Sequence, residues 1–271
     1  MPWTSEHLKW LVDTGKRLTT ADGKTVEVWE FHHRKDNAVL SPWAKHFRNH
    51  YCLDTEIDIL KPPRYARSKY LTSMKFPDLS AGLGPGIRAG DFGEILVADY
   101  LQYLLGYWVP RLRWDCKDIR NSSGKGCDIM GFKILDDGKW SRDDTLAIFE
   151  AKAQFSGSKA KPRLNDAVDG SAKDDVRKAE SLNFCKQRLF ERQLPVDVTR
   201  IARFQNPEDY PYKENYGAVA LFSTSLFDEQ EISKTDASGH PYSNELTLLV
   251  IRGNAMMDLV HELYRRAADE A

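Results

Sequence analysis

The segments Gly126-Cys127-Asp128-Ile129-Met130-Gly131-Phe132 and Leu146-Ala147-Ile148-Phe149-Glu150-Ala151-Lys152-Ala153 decide the fold. Each is a short apolar run carrying acid at a defined place, and the turn-forming Asp136-Asp137-Gly138 lies between them. Short apolar runs bounded by turn residues read as buried strands. Successive side chains on a strand face opposite ways. Glu150 and Lys152 therefore share a face, and Ala151 points away from them. Asp128 belongs to a neighbouring strand, so its carboxylate can converge on Glu150.

Upstream, Arg88 to Leu105 is helical. Val97, Tyr100, Leu101, Leu104 and Leu105 form one apolar face, and Gly106 is a stop. The same face extended one turn back carries Glu94. A carboxylate among core positions is costly unless it is paired or binds a metal. Earlier still, Thr25 to Phe31 alternates as a strand does, and Ser41-Pro42-Trp43 reads as a helix start. Lys61-Pro62-Pro63 breaks the chain. The run Gly82-Leu83-Gly84-Pro85-Gly86 marks a boundary between an N-terminal region, residues 1–80, and a main domain, residues 81–271. The N-terminal region would serve a partner or support the core.

Tyr107 to Trp114 is expected as the first strand of a three-stranded meander, with the Asp128 and Glu150 strands completing it. A polar, basic loop is expected from Gln154 to about Ser171. A helix follows, from about Lys173 to Arg192, with Val176, Ala179, Leu182, Cys185 and Leu189 at helical spacing and Pro195 just beyond its end. Ala218 to Phe222 and Leu246 to Ile251 are strands. A last helix, about Ala255 to Ala268, carries Met256, Val260, Leu263, Tyr264 and Ala267 on one face. The order predicts an α/β (α+β) fold with a mixed central sheet flanked by helices.

The 271 residues suffice for a substantial core, and no apolar run approaches the ~20 residues of a membrane span. The first residues lack a basic-then-apolar signal pattern, so a soluble cytoplasmic protein is expected. The net charge is −1. Proteins that bind nucleic acid unaided commonly carry a basic excess. Contact with DNA would then need a local basic patch or a partner. The scattered Cys52, Cys116, Cys127 and Cys185 give neither zinc spacing nor a disulfide framework, and reduced, buried thiols are expected. His46, His50 and Cys52 form at best an isolated metal-ligand trio. Gly84-Pro85-Gly86-Ile87-Arg88-Ala89 matches a loose dinucleotide pattern, but no strand precedes it; it reads as a flexible lead into the Glu94 helix.

Hard carboxylate oxygens suit Mg2+ or Mn2+. A metal held by Asp128 and Glu150 would activate water and neutralise charge on a phosphate. Lys152 would orient that water or stabilise the transition state, and Glu94 would be a further ligand or orient one. Hydrolysis of a phosphodiester bond is the chemistry this set suits. The plainer alternative is a surface salt bridge, which is common and worth little. Gln154, on the Lys152 face, is a candidate for metal or substrate. Lys159, Lys161 and Arg163 are candidates for the phosphate backbone, against the reading of a solvated loop. Asp174 and Arg177 open the next helix, where the helix dipole alone favours an acid.

With Glu94, Asp128 and Glu150-Ala151-Lys152 in place, residues 88–222 resemble the PD-(D/E)xK nuclease superfamily. Cys127 stands where its motif has proline. Most of the chain further resembles the nuclease subunit of Hachiman anti-phage defence (HamA-like). The residues that carry this are Tyr51-Cys52-Leu53-Asp54, Tyr70-Leu71, Phe76-Pro77-Asp78, Gly90-Asp91-Phe92-Gly93-Glu94-Ile95-Leu96, Ala98-Asp99-Tyr100-Leu101 and Pro110-Arg111. The resemblance implies a restriction-endonuclease-like core with an N-terminal extension. It also implies a DNA-cleaving effector held in a complex with a superfamily-2 helicase subunit (HamB-like). A repair, restriction or RNA nuclease and a non-catalytic scaffold are the alternatives; the intact acid-acid-lysine set argues against the scaffold.

Overall fold

A computed structural model describes residues 4–80, 82–136 and 139–271. In chain order it contains β1 (Leu11–Thr19), β2 (Thr25–Phe31), α1 (Asn37–Arg48), α2 (Ile57–Leu60), α3 (Arg67–Tyr70) and α4 (Gly84–Asp99). There follow β3 (Ile129–Lys133), β4 (Thr145–Gln154), α5 (Arg163–Ser171), α6 (Asp174–Glu191), α7 (Pro195–Arg203), β5 (Lys213–Ser223), α8 (Glu229–Ser233), β6 (Thr247–Gly253) and α9 (Met256–Asp269). The strands form one six-stranded sheet in the order β1-β2-β6-β5-β4-β3. The β1–β2 and β3–β4 pairs are antiparallel; β2–β6, β6–β5 and β5–β4 are parallel. The expected mixed sheet flanked by helices is therefore present.

Strand alternation sorts the core into two layers. Ala147, Phe149, Ala151, Val219, Leu221, Leu249 and Ile251 pack with α1, α4 and α9. Leu146, Ile148, Ala218, Ala220, Phe222, Leu248 and Val250 pack with α5, α6 and α7. Burial on both faces explains why β4 and β5 read as continuous apolar runs.

Several local expectations are corrected. Tyr107 to Trp114 is not a strand: it makes a single bridge, Trp108 to Phe132, and then leaves the sheet. Pro110 has no N–H for a ladder, and Arg111 takes a left-handed φ of 53°. The first helix begins at Asn37, capped by Asp36, which accepts from the Ala38 N–H; Ser41-Pro42-Trp43 lies inside it. Gly84, Pro85 and Gly86 form the first turn of α4 and are not a loop before it. The expected loop after Gln154 contains α5, and Pro195 opens α7, where its missing N–H has no intrahelical role. On α6, Val176 is 83% exposed, so the buried stripe begins at Ser181 and Leu182. The expected turn at Asp136-Asp137-Gly138 includes Asp137 and Gly138, which lie outside the described residues.

The chain leaving the sheet carries Arg111 into a buried ionic cluster. Its guanidinium lies 2.6 Å from Asp99 Oδ1 and donates to His50 Nε2 at 2.7 Å and Gln102 Oε1 at 2.8 Å. His7 Nε2 and His46 Nε2 stand 2.9 and 3.0 Å from the Asp99 oxygens. Burial pushes the Asp99 carboxyl up, but Arg111, His46 and His7 outweigh it and hold the group well below the usual carboxylate range. The cluster joins residues 7, 46 and 50 of the N-terminal region to α4. Arg111→Met would leave Asp99 buried without its counter-ion. It is expected to destabilise the fold by about 3–5 kcal/mol in urea unfolding at pH 7. Adding Asp99→Leu should recover a large part of that loss.

Candidate functional site

Asp128 immediately precedes edge strand β3, and Glu150 and Lys152 lie near the end of β4. The antiparallel register sets Ile129 opposite Phe149. Asp128 Oδ2 accordingly accepts the Ala151 N–H at 3.3 Å, which fixes its carboxylate beside the β4 end. Lys152 Nζ bonds Glu150 Oε1 and lies 3.8 Å from Asp128 Oδ2. The three residues expected to meet do meet. Lys152 remains one-third exposed, whereas both acids are buried. An exposed surface salt bridge is therefore not what these residues form.

Glu94 arrives differently. Helix α4 packs on the Ala147–Phe149–Ala151 side of the sheet, the layer opposite Glu150 and Lys152. Arg113 spans the gap, with Nε 3.0 Å from Glu94 Oε2 and NH2 bonded to Asp128 Oδ1 at 2.6 Å. Its remaining N–H groups donate to the carbonyls of Gly124, Lys125 and Cys127. Arg113 thus joins two acids and clamps the 124–127 loop. The sequence reading missed it because it lies in the segment expected as a strand. One turn before Glu94, Asp91 accepts from Lys117 Nζ at 2.7 Å and from the Tyr51 hydroxyl at 2.6 Å.

Asp174 is the other residue not assigned from sequence. Its side chain is fully buried, and the Cys127 thiol donates a hydrogen bond to it. Its nearest cation, Arg177 NH1, is 3.9 Å away. Burying a carboxylate costs several kcal/mol, about as much as breaking a buried pair, whereas a helix N-terminus returns about 1 kcal/mol. The dipole explanation is too small by itself.

Burial pushes Glu94 up to about 8, with Arg113 opposing, and Asp128 adds to the rise. Burial and the Asp128 charge likewise raise Glu150 to about 8, against Lys152. Asp174 is raised to about 7 by burial and then by Asp128. Burial lowers the Lys152 ammonium, but Asp128 and Glu150 outweigh it and raise the group above its ordinary value. The acids Asp91, Glu94, Asp128, Glu150 and Asp174 thus share this region with the cations Arg113, Lys117, Lys152 and Arg177. Glu150 Oε2 lacks a hydrogen bond. Carboxylate oxygens such as Glu150 Oε2 are of the hard kind that suits a divalent cation such as Mg2+ or Mn2+.

Gly170 of α5 crosses close to Glu150: a Cβ there would stand 2.7 Å from Glu150 Cδ. A cavity of about 440 Å3 opens beside Asp128. Its lining includes Arg113, Trp114, Lys117, Lys125 and Phe184. Gln154 does not face it freely. Its Nε2 donates to the Lys159 carbonyl at 2.8 Å, and its Oε1 accepts the Lys161 N–H at 2.9 Å. Lys159 and Lys161 are exposed, and Arg163 pairs with Asp166 at 2.7 Å.

His46, His50 and Asp99 also offer ligand atoms within 4.8 Å of one another, a combination able to hold a metal. Cys52, grouped with these histidines from sequence, is not one of them. Here the Arg111 guanidinium already contacts Asp99 and His50, so the triad carries a cation of its own.

An α/β core whose mixed sheet ends in buried acids and a lysine has the nuclease-like layout. The chain belongs to the HamA family: the model of that family matches residues 6–267, nearly the whole chain. That is the component of Hachiman anti-phage defence which the sequence resembles. No curated protein and no solved structure matches it. Among the described residues, no helix is long and apolar enough to cross a membrane.

The raised Glu150 pKa has a testable sign. The folded chain holds a proton on Glu150 up to about pH 8, whereas the unfolded chain releases it near pH 4.5. Metal-free stability is therefore lost as pH rises across that window. Glu150→Gln is expected to be more stable than wild type by about 1–3 kcal/mol at pH 9, with the gap closing toward pH 4.5. Urea unfolding in chelator measures this; a pH-independent gap contradicts it.

Proposed function

We propose that this chain is a Mg2+- or Mn2+-dependent DNA endonuclease, the effector of a two-component anti-phage complex with a superfamily-2 helicase (HamB-like). The observation that carries the reading is Lys152 held between Asp128 and Glu150 at the partly exposed end of β4. Membership of the HamA family supports the defence role.

Asp128 and Glu150 would hold the metal, with Glu94 reaching the centre through Arg113. When bound, the metal supplies a Lewis acid and an activated water. Lys152 points its ammonium at the same place. It orients the attacking water there and offsets charge building on the phosphate oxygens. Ala151 donates its N–H to Asp128 and so keeps that carboxylate aimed at the centre. Lys125, lining the adjoining cavity, offers a local cation for the phosphate backbone. The net charge of −1 leaves little unaided pull on DNA, which suits delivery by a helicase partner.

The test is cleavage of plasmid and linear DNA, with RNA as a control, by the chain together with its helicase. Magnesium-dependent cutting is expected, abolished by chelator. Glu150→Ala and Lys152→Ala should each lower the rate about 100-fold or more. Wild-type cutting by Lys152→Ala overturns the mechanism, and cutting confined to RNA overturns the substrate.

A further inference from the structure

The cavity of about 440 Å3 beside Asp128 falls within the range of small-ligand pockets, about 300 to 1,000 Å3. Its charges do not suit a phosphate. Against the exposed Lys125 the wall sets the exposed acids Asp118 and Glu180 as well as Asp128. The other cations of the lining are engaged: Arg111 with Asp99, Arg113 with Glu94 and Asp128, and Lys117 with Asp91. Phosphates entering such a space would meet like charge. Val109, Leu112 and Met130 make the wall between these charges apolar. A neutral group is what the cavity suits.

Phe184 gives that group its shape. Ser181 Oγ accepts the Cys127 N–H at 3.0 Å, which pins α6 to the residue before Asp128. Phe184 follows Ser181 by three positions, so it lies on the same side of the helix, about 5 Å along. Ser181 and Cys185 are buried, yet Phe184 is 42% exposed and lines the cavity. An aromatic face open to a cavity accepts a second flat ring in offset stacking. A nucleobase is such a ring, and its amino groups can donate to Asp118 or Glu180. Within a duplex every base is paired and stacked, so only an unpaired one can enter an enclosed site.

We infer that this cavity takes one unpaired nucleobase of the strand being cut, stacked on Phe184, with the phosphates kept outside on the Lys125 side. The inference rests on the DNA-cleaving reading above and names the form of its substrate. That form is single-stranded or unwound DNA, which is what a helicase produces.

Fluorescence anisotropy with the full chain in chelator tests it. The labelled probes are a single strand, its blunt duplex, and a single strand with abasic sites in place of bases. Wild type should bind the single strand at least about tenfold more tightly than either other probe. Phe184→Ala should lose about tenfold on the single strand and nothing on the abasic strand. Phe184→Tyr, which keeps the ring, should bind as wild type does. Should Phe184→Ala fail to fold, Phe184→Leu carries the same comparison. Equal wild-type binding of the single and abasic strands, or no binding, overturns the inference. So does Phe184→Ala that binds like wild type, or that weakens on the abasic strand as well. Plasmid cutting by the chain with its helicase and magnesium is measured alongside. Cutting that Lys152→Ala abolishes leaves the nuclease reading standing whatever the anisotropy shows, and a wild-type chain that cuts no DNA removes both.

Discussion

Like charges repel strongly where little water screens them, and Asp128 stands among three other buried acids. Glu94 comes from α4, Glu150 from β4 and Asp174 from α6. Arg113 ties Asp128 to Glu94, and Lys152 lies between Asp128 and Glu150. The surrounding architecture holds this opposition in place. The β3–β4 register brings Asp128 to the Ala151 amide, and the glycine at 170 lets α5 close over Glu150. Arg113 can reach both acids because the chain leaves the sheet after Trp108. A regular strand there would have spent its polar groups on the ladder.

Much of this was legible because periodicity is a local property. The alternation along β4 put Glu150 and Lys152 on one face, and the helical repeat of α4 placed Glu94 among buried positions. The strands at Thr25–Phe31, Ala218–Phe222 and Leu246–Ile251 were legible for the same reason. The contributions of Arg113 and Asp174 were not. Each depends on what a distant segment does: Arg113 on a strand that fails at Pro110 and Arg111, Asp174 on α6 packing against Cys127. Helix α5 was hidden because its buried residues, Leu164, Ala167 and Val168, are few and separated by polar ones. The N-terminal residues of α4 read as a loop, since three glycines and a proline within five positions ordinarily signal one.

The Asp99 cluster is a second meeting of buried charges, and it has a different balance. Asp99 is matched by Arg111 and two histidines, so its charge is answered inside the fold. Around Asp128 several acids gather instead, with Arg113 and Lys152 set between them. Two clusters of buried charge, both touching the helix Gly84–Asp99, thus differ in make-up: one sets a single acid among a guanidinium and imidazoles, the other sets several acids around Arg113 and Lys152. The first ties residues 7, 46 and 50 to α4, and the second lies at the end of the sheet beside a cavity.

The parallel pairing of β2 with β6 joins Val26 to Leu248. A two-stranded hairpin such as β1–β2 is at best marginally stable alone. Its lasting partner, β6, lies far along the chain from it. Contacts between such distant residues form slowly, because a long loop must close before they bring any gain. Strand β2 therefore stays unpaired on one edge until β6 comes within reach. Docking of the β1–β2 hairpin is a long-range step, and the hairpin settles onto the sheet only once β6 is in place.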